Sequence, residues 1–167
     1  MRIALLLLCC TCATVFAGDA RDAVVGRWAS EGSILEISET DGQLHAHIVA
    51  LLDPVYRADE DFGEPGAVRV DAKNPDEALR ARPLIGIDLL QEYTFKDGKW
   101  QGRIYDPESG KTYKSQMHVD ADGTLKMRGY IGVPMLGRTA VFQPVTSCSG
   151  NIPKMLALAA LPSTCSA

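Results

Sequence analysis

The chain has 167 residues and a formal net charge of −4, and no cluster of Lys or Arg stands out in it. A chain of this length fits one domain, which buries roughly 68–70% of its unfolded surface and needs no metal to hold its core together. The acidic balance argues against nucleic acid and anionic membrane surfaces as partners, because both are recognised through basic patches.

The first 17 residues have the pattern of a signal peptide. Arg2 supplies a positive charge, residues 3–8 are apolar, and Val15-Phe16-Ala17 offers a small-residue cleavage site. The apolar run is shorter than the ~18 residues that a membrane-spanning helix needs, so we expect no transmembrane segment. The leader cysteines lack the preceding residues of a lipidation site, so we predict a periplasmic or secreted protein without a lipid.

Eight segments beyond the leader alternate apolar and polar residues, a period of two that is typical of half-buried strands. In the clearest case, the apolar residues Leu44, Ala46 and Ile48 alternate with the polar residues Gln43, His45 and His47. Turn sequences such as Asp41-Gly42 separate most neighbours and favour antiparallel pairing. The predicted strands cover residues 24–30, 33–38, 44–52, 88–95, 99–105, 111–119, 124–131 and 138–143.

These strands predict a mainly β fold, a single antiparallel barrel of about eight strands. Closure removes unpaired edges, and a barrel of this size holds either side chains or one small ligand. The apolar phase of each strand predicts an interior that contains Leu44, Ile48, Leu89, Tyr93, Trp100, Ile104, Tyr113, Met117, Met127 and Ile131, with Gly102 and Gly129 in the same phase.

A long segment, residues 53–72, interrupts the strand order. It is acidic and rich in Pro and Gly, and it leads to Asn74, Pro75 and Glu77, which are typical of a helix start with Asn74 as the N-cap. We predict a short helix over about 75–82, ended by Pro83. Two interpretations stay open: the segment covers one mouth of the barrel, or it is a solvated excursion.

The end of the chain holds a second short helix and a cysteine pair. Residues 155–161 are good helix formers bounded by Pro153 and Pro162. In an exported chain Cys148 and Cys165 are expected to form a disulfide, worth ~3 kcal/mol by loop entropy; the absence of Cys-x-x-Cys spacing disfavours a redox role. The expected organisation is a signal peptide (1–17), a barrel domain (18–145) and a clipped tail (146–167).

Four ordered groups of residues form one pattern: Gly26, Arg27 and Trp28; Asn74, Pro75, Asp76, Leu79, Arg80, Arg82 and Pro83; Trp100, Gly102, Ile104, Tyr105, Asp106, Pro107, Gly110, Lys111 and Tyr113; and Arg128, Gly129, Tyr130, Ile131, Gly132, Pro134, Gly137, Arg138 and Thr139. The pattern is similar to the bacterial secreted proteins grouped as domain of unknown function 2147, whose fold is a lipocalin-like barrel, and it spans roughly residues 24–145. The resemblance implies that Trp28 closes the barrel base and that Arg138, from the last strand, stacks on its indole.

Signals for catalysis or metal binding are weak. The chain has no Gly-x-Ser-x-Gly, Gly-rich phosphate loop or His-Glu-x-x-His motif, so we expect no enzyme and no cofactor. His45 and His47 share a strand face, but with His118 they make an incomplete metal site and are interpreted as solvated. An enzyme would have to use Arg80, Arg82, Tyr105 or Asp106, which also have structural interpretations as an ion-pair partner or a turn residue.

The sequence therefore predicts an exported, lipocalin-like protein that binds a small, largely hydrophobic molecule or lipid in the barrel. A cell-envelope interaction module with a filled barrel is the first alternative, and a small barrel enzyme is the second. An empty interior would favour binding. The candidate ligand contacts are Tyr93, Trp100, Tyr113, Met117, Met127, Arg82 and Tyr105.

Overall fold

A computed structural model describes residues 20–60, 62–163 and 165. The predicted leader and its cleavage site lie outside the described residues. The eight predicted strands are confirmed, and they form one antiparallel sheet in the order β3-β2-β1-β8-β7-β6-β5-β4. Their bounds are β1 Gly26–Ala29, β2 Ser33–Thr40, β3 Gln43–Leu51, β4 Leu90–Lys96, β5 Lys99–Asp106, β6 Lys111–Val119, β7 Leu125–Tyr130 and β8 Arg138–Pro144.

The sheet closes through the short segment that precedes β4. The amide of Ile48 in β3 donates to the carbonyl of Ile87 at 3.2 Å, and the amide of Leu89 donates to the carbonyl of Ala46 at 2.9 Å. On the other side of the segment, the amide of Tyr105 in β5 donates to the carbonyl of Leu89 at 2.8 Å. Residues 86–89 therefore join β3 to β5 and satisfy backbone groups that would otherwise form exposed edges.

The carboxylate of Asp88 holds this closure where the two strands diverge. It accepts hydrogen bonds from the amides of Ala46 at 3.0 Å and Leu90 at 3.1 Å, and it lies 2.7 Å from Nδ1 of His45. One side chain thus replaces ladder hydrogen bonds on both β3 and β4. Asp88 therefore connects β3 and β4, the two strands at the ends of the sheet order.

The opposite seam, between β1 and β8, is closed over only part of its length. The short β1 pairs with β8 only through Trp28 with Pro144 and Ala29 with Gln143. The remaining part of β8 is exposed from Arg138 to Val141. The barrel is therefore nearly closed, with an opening beside the first half of β8.

The strand directions place the connections at two ends. Residues 30–32, 52–89, 107–110 and 131–137 lie at one end, which we call the mouth. The turns at 41–42, 97–98 and 120–124 lie at the other end, the base. The long segment joins at the closure of β3 to β4, half the ring of strands away from the β7–β8 connection at residues 131–137.

The base is closed by tryptophans, but the predicted Trp28–Arg138 stack is wrong. The indole Nε1 of Trp28 donates to the carbonyl of Val24 at 2.8 Å. Arg138 pairs with Gly129 at the mouth, whereas Trp28 pairs with Pro144, six residues and roughly 20 Å further along β8. The strand register therefore keeps the two side chains apart.

A different arginine fills the cation–π position. The guanidinium of Arg21 lies 5.0 Å from the ring centroid of Trp100, and Trp100 Nε1 donates to the carbonyl of Arg21 at 2.9 Å. This arginine precedes the first strand instead of belonging to the last one. The base is therefore held by a contact between the N-terminal part of the described chain and β5.

The predicted helix at 75–82 is only one 3-10 turn, Glu77–Leu79. Its N-cap is Asp76, whose carboxylate accepts from the amide of Ala78 at 3.0 Å, so the prediction of Asn74 as N-cap is wrong. Asn74 is buried, and its side chain serves a polar cluster described below. Its carbonyl oxygen Oδ1 accepts from the amide of Asp76, which fixes the turn before the helix begins.

The predicted disulfide between Cys148 and Cys165 is confirmed, and it cross-links the two ends of the tail. Between them, α1 (Ile152–Leu158) begins three residues earlier than predicted, because Pro153 stands in its first turn, where the missing N–H costs nothing. Met155 and Leu156 are fully buried in a second apolar cluster on the outer side of β2 and β3. Among the described residues, no helix is long and apolar enough to cross a membrane.

Candidate functional site

The interior of the barrel is built from side chains in register across β5, β6 and β7. Residues two apart on a strand share a face, so each row of paired residues repeats inward at every second position. The lower row is Trp100, Met117 and Met127, and the next row towards the mouth is Gly102, Ser115 and Gly129.

The lower row is a packed floor. Trp100, Met117 and Met127 are 0–3% exposed and belong to the main apolar core. Their burial agrees with the predicted inward phase. Methionine side chains have several rotatable bonds and a polarisable sulfur, so two adjacent methionines make this floor adaptable in shape.

The small-residue row is covered at one end and open at the other. A Cβ atom on Gly102 would lie 2.5 Å from the ring of Tyr93, so this ring occupies the space above Gly102. A Cβ atom on Gly129 would meet only the Cβ of Tyr113, at 3.7 Å. The room predicted beside these glycines is therefore filled at β5 and unfilled at β7.

Two hydroxyl groups, those of Tyr93 and Ser115, are buried at this row and have no well-formed hydrogen bond. Tyr93 is 1% exposed and Ser115 is fully buried; the two hydroxyls interact with each other, since Ser115 lowers the pKa of Tyr93 against the effect of burial, but neither makes a well-formed hydrogen bond in the described part of the chain. Burial is the main cause that raises the pKa of Tyr93, so its phenol stays protonated and remains a donor. A buried hydroxyl left unpaired costs ~1–3 kcal/mol, which makes this pair a candidate polar contact for a bound molecule.

The face of β8 that shares this interior is open to solvent. Ala140 pairs with Met127 and Arg138 pairs with Gly129, so their side chains lie on the same face as the two rows, and both are exposed. Tyr113 is half-buried at the mouth, with its hydroxyl 3.1 Å from the Ser109 Oγ. Solvent therefore reaches the upper interior beside β8.

Ile131 was predicted to face the interior, and this is wrong. β7 ends at Tyr130, and Ile131 is 74% exposed in the connection to β8. The strand ends one residue early because Gly132 takes a positive φ of 76° and turns the chain away from the ladder.

Arg82 and Tyr105 meet in a buried polar cluster around Asp71. The Tyr105 hydroxyl donates to Asp71 Oδ1 at 2.6 Å. Asp71 Oδ2 accepts from Arg82 Nε at 3.0 Å and Nη2 at 2.8 Å, and from Asn74 Nδ2 at 2.7 Å. Asp71 is fully buried, so its charge is compensated entirely within this cluster.

The cluster ties the long segment to the barrel wall. Asp71, Asn74 and Arg82 belong to the segment between β3 and β4, whereas Tyr105 belongs to β5. The sequence leaves two interpretations of Arg82, as a ligand contact or as an ion-pair partner of the acidic segment. Its Nε and Nη2 atoms both bind Asp71, which agrees with the second interpretation. Arg82 also lines a shallow pocket of about 260 Å³ with Ile85 and Asp88, outside the two interior rows.

We expect the ionisation of Tyr105 to lower the free energy of unfolding at alkaline pH. Burial and the hydrogen bond to Asp71 raise its pKa to about 12, whereas an unfolded tyrosine ionises near pH 10. The folded state therefore binds more protons between about pH 10 and 12, and the free energy of unfolding falls as pH rises through this window. In urea titrations, Tyr105→Phe should show a shallower fall than the parent chain; equal slopes would contradict this role.

The remaining candidate residues have local partners. Arg80 Nε donates to the carbonyl of Asn74 at 2.9 Å. The carboxylate of Asp106 accepts from the amide of Glu108 at 3.0 Å and from the hydroxyl of Ser109 at 2.6 Å, which agrees with its interpretation as a turn residue.

The three histidines lie in two places. The rings of His45 and His47 are stacked with centroids 6.1 Å apart on β3, and both are partly buried. His118 is on β6, where its Nε2 lies 3.1 Å from Asp120. Within the described ranges, no three His, Cys, Asp or Glu side chains group in a way that could hold a metal ion.

Sequence reasoning missed Asp71, Asn74 and Ser115 as members of these clusters. The alternation of β6 could have identified Ser115 as an interior residue, because it lies midway between Tyr113 and Met117 in the inward phase. Asp71 gave no separate signal, since it is one of several acids in the long segment. Its role follows from the tertiary approach of that segment to β5.

Comparison with known proteins agrees with the fold. A family model described as "Uncharacterized protein conserved in bacteria (DUF2147)" matches residues 26–143. A solved structure described as protein HP1028 from Helicobacter pylori, a member of the lipocalin family, is 18% identical with a TM-score of 0.60, and the match covers 85% of this chain and 92% of that one. No curated protein matches the sequence.

Proposed function

The chain belongs to the bacterial family DUF2147, and we propose that it is an exported binding protein that holds a small, largely hydrophobic molecule in its lipocalin-like barrel. The observation that carries this proposal is the pair of buried hydroxyls of Tyr93 and Ser115, which have no well-formed hydrogen bond and no polar partner except each other in an otherwise apolar interior. Ligand sites commonly combine an apolar lining with a few convergent polar groups. The interior rows have this composition.

The ligand that fits has an apolar body and one polar group. The apolar body lies on the floor of Trp100, Met117 and Met127, and the methionines adjust to its shape. The polar group meets the hydroxyls of Tyr93 and Ser115. The unfilled space beside Gly129 and the exposed inner face of β8 supply the entry from the mouth.

Tyr113 is proposed to border this entry, since it is half-buried and its Cβ faces Gly129. Arg82 and Tyr105 are proposed to act indirectly. Through Asp71 they fix the long segment beside the barrel. This division separates six contact residues, with Ser115 added to the predicted five, from two that position the wall.

Export is part of the proposal. The leader pattern at residues 1–17 supports it, and so does the disulfide, because disulfides persist in oxidising compartments such as the periplasm. We therefore propose a mature chain with a barrel domain over 18–145 and a clipped tail over 146–167, located in the periplasm or secreted.

A filled-barrel interaction module is the second candidate. The observations that favour it are the packed floor and the ring of Tyr93, which occupies the space above Gly102. In this alternative the interior is only a core, and function depends on the outer surface. Binding measurements separate the two candidates.

The test is ligand-dependent stability with a panel of fatty acids and other small apolar molecules. A ligand at about 100 times its Kd stabilises the folded state by ~2.7 kcal/mol, which raises the Tm of a domain of this size by roughly 5–10 °C. Binding should also change the fluorescence of Trp100, and Trp100→Phe is the control because Trp28 is the other tryptophan.

Gly129→Leu is the blocking variant, because a Cβ atom at this position would contact only the Cβ of Tyr113 and the larger side chain would occupy the unfilled space. We expect it to fold and to lose the ligand-dependent shift. A panel that leaves Tm and fluorescence unchanged in the parent chain would overturn the proposal in favour of the interaction module.

A further inference from the structure

The connection between β7 and β8 presents apolar side chains to solvent. Ile131 is 74% exposed, Val133 55%, Met135 86% and Leu136 79%. We call residues 131–137 the apolar loop. Isolated exposed apolar residues are ordinary, but four within six positions form a contiguous surface of the kind that marks interaction sites.

The apolar loop is held in a defined conformation. Arg128 Nε donates to the carbonyl of Pro134 at 2.7 Å, and its Nη2 donates to the carbonyl of Met135 at 3.1 Å. Its Nη1 donates to the hydroxyl of Thr139 at 2.8 Å, which connects the loop to β8. The turn also packs closely on β7, since a Cβ atom on Gly137 would lie 2.5 Å from the carbonyl oxygen of Gly129.

This arrangement places apolar side chains at the tip of a hairpin with its backbone fixed from below. Arg128 contributes three hydrogen bonds to the loop and its flank, and no carboxylate lies within ion-pair distance of it in the described part of the chain. The exposed tip is thus preorganised, and ordering it on a partner costs little conformational entropy.

Charge is distributed unequally along the chain. All 21 Asp and Glu residues lie within residues 1–122, together with 13 of the 17 Lys and Arg residues. Residues 123–167 contain four Lys and Arg and no Asp or Glu. The negative net charge therefore averages over an acidic part and a basic part, and the apolar loop belongs to the basic part.

Cations surround the base of the apolar loop. Arg128 precedes it, Arg138 follows it, and Lys114 pairs with Tyr130 at its edge. Arg138 and Lys114 are exposed, and neither forms a salt bridge among the described residues. The acidic long segment starts and ends at the closure of β3 to β4, opposite the apolar loop in the ring of strands, and its residues 71–73 extend along the mouth to β5 and the 107–110 turn.

We propose that the apolar loop inserts into the surface of an anionic lipid bilayer, with Arg128, Arg138 and Lys114 against the lipid headgroups. Interfacial binding requires apolar side chains below the headgroups and cations level with them, which is the order found from tip to base of this hairpin. A second copy fits poorly, because a symmetric contact would bring the same unpaired cations together. The inference stands whether or not the barrel holds a ligand.

The experiment is co-sedimentation of the mature, disulfide-bonded chain with two kinds of vesicle. One contains phosphatidylglycerol and phosphatidylcholine in equal parts, and the other contains phosphatidylcholine alone. We expect binding to the first, weaker binding to the second, and a decrease with added salt. The variant Met135→Asp with Leu136→Asp should bind the anionic vesicles at least about tenfold more weakly, because two apolar side chains no longer enter the bilayer.

Val68→Asp is the matched control. Val68 is 56% exposed in the long segment, away from the apolar loop, so this variant should bind vesicles like the parent chain. Leu136→Trp adds a direct readout of insertion. Its emission should shift to shorter wavelength with anionic vesicles, against a background from Trp28 and Trp100, which are buried.

Three outcomes would overturn the inference. The first is a parent chain that does not sediment with anionic vesicles. The second is equal loss of binding in Val68→Asp and in the double variant, which would place the contact elsewhere. The third is a concentration-dependent dimer in sedimentation velocity that the double variant abolishes, which would identify the loop as an interface between copies.

Discussion

Replacing Asp71 by Ala should lower the free energy of unfolding by about 3 kcal/mol, the low end of the range for removing one partner of a buried ion pair, because the remaining Arg82 side chain is 36% exposed. Asp71 is fully buried and accepts hydrogen bonds from Tyr105, Asn74 and Arg82. Without the carboxylate, Tyr105 and Arg82 lose their acceptor beside a small cavity, and Asn74 Nδ2 keeps only its 3.2 Å hydrogen bond to the Tyr105 hydroxyl. Urea unfolding followed by tryptophan fluorescence measures the change.

Asp76→Ala is the matched control for this prediction. Asp76 is an exposed acid in the same segment, and it caps a single 3-10 turn. Its loss should cost about 1 kcal/mol, the usual value of a cap. If Asp71→Ala were no more destabilising than Asp76→Ala, the cluster would not tie the long segment to the barrel.

Gly102→Ala should destabilise the barrel by about 1–3 kcal/mol, the typical cost of overpacking a core. The new methyl group would lie 2.5 Å from the ring of Tyr93 and 2.8 Å from the carbonyl oxygen of Gln91. Because the Gln91 oxygen belongs to the backbone, rotation of a side chain alone cannot relieve this contact. The measurement is again the free energy of unfolding in urea.

Gly129→Ala tests the same row where it is open. Its methyl group would make an ordinary contact with Tyr113 at 3.7 Å, and Ala restricts the unfolded chain more than Gly does. We expect unchanged or slightly higher stability. Equal destabilisation by both substitutions would mean that the row is packed uniformly and that no space is left beside β7.

The strands were predictable from sequence because their signals are local. Alternation of apolar and polar residues reports one buried face, and turns such as Asp41-Gly42 supply positive φ angles, which the structure shows at both positions. The disulfide between Cys148 and Cys165 was predictable for a related reason. Once the leader cysteines are set aside, two cysteines remain and only one pairing exists.

The closures of the barrel were not predictable, because they depend on contacts between distant segments. The hydrogen bonds of Asp88 to Ala46 and Leu90 cross from β3 to β4, and no local pattern marks that carboxylate. The same limit explains the error on Trp28 and Arg138. Stacking depends on strand register, and β1 is too short to reach the first half of β8.

The candidate site was predictable in type more than in detail. Period two placed Tyr93, Trp100, Met117 and Met127 in the interior, and all four are buried there. Whether space remains among them depends on how the ring of Tyr93 packs across the barrel. The asymmetry between Gly102 and Gly129 follows from that packing and has no counterpart in the sequence.

Native mass spectrometry of the protein purified from the periplasm tests the binding proposal most directly. The spectrum should show a chain that begins at Gly18, with one small molecule bound noncovalently and released by denaturation. Gly129→Leu, purified in parallel, should show the folded chain without that molecule. A bare mass for the parent chain, unchanged after incubation with the fatty-acid panel, would contradict the proposal that the barrel interior is a binding site.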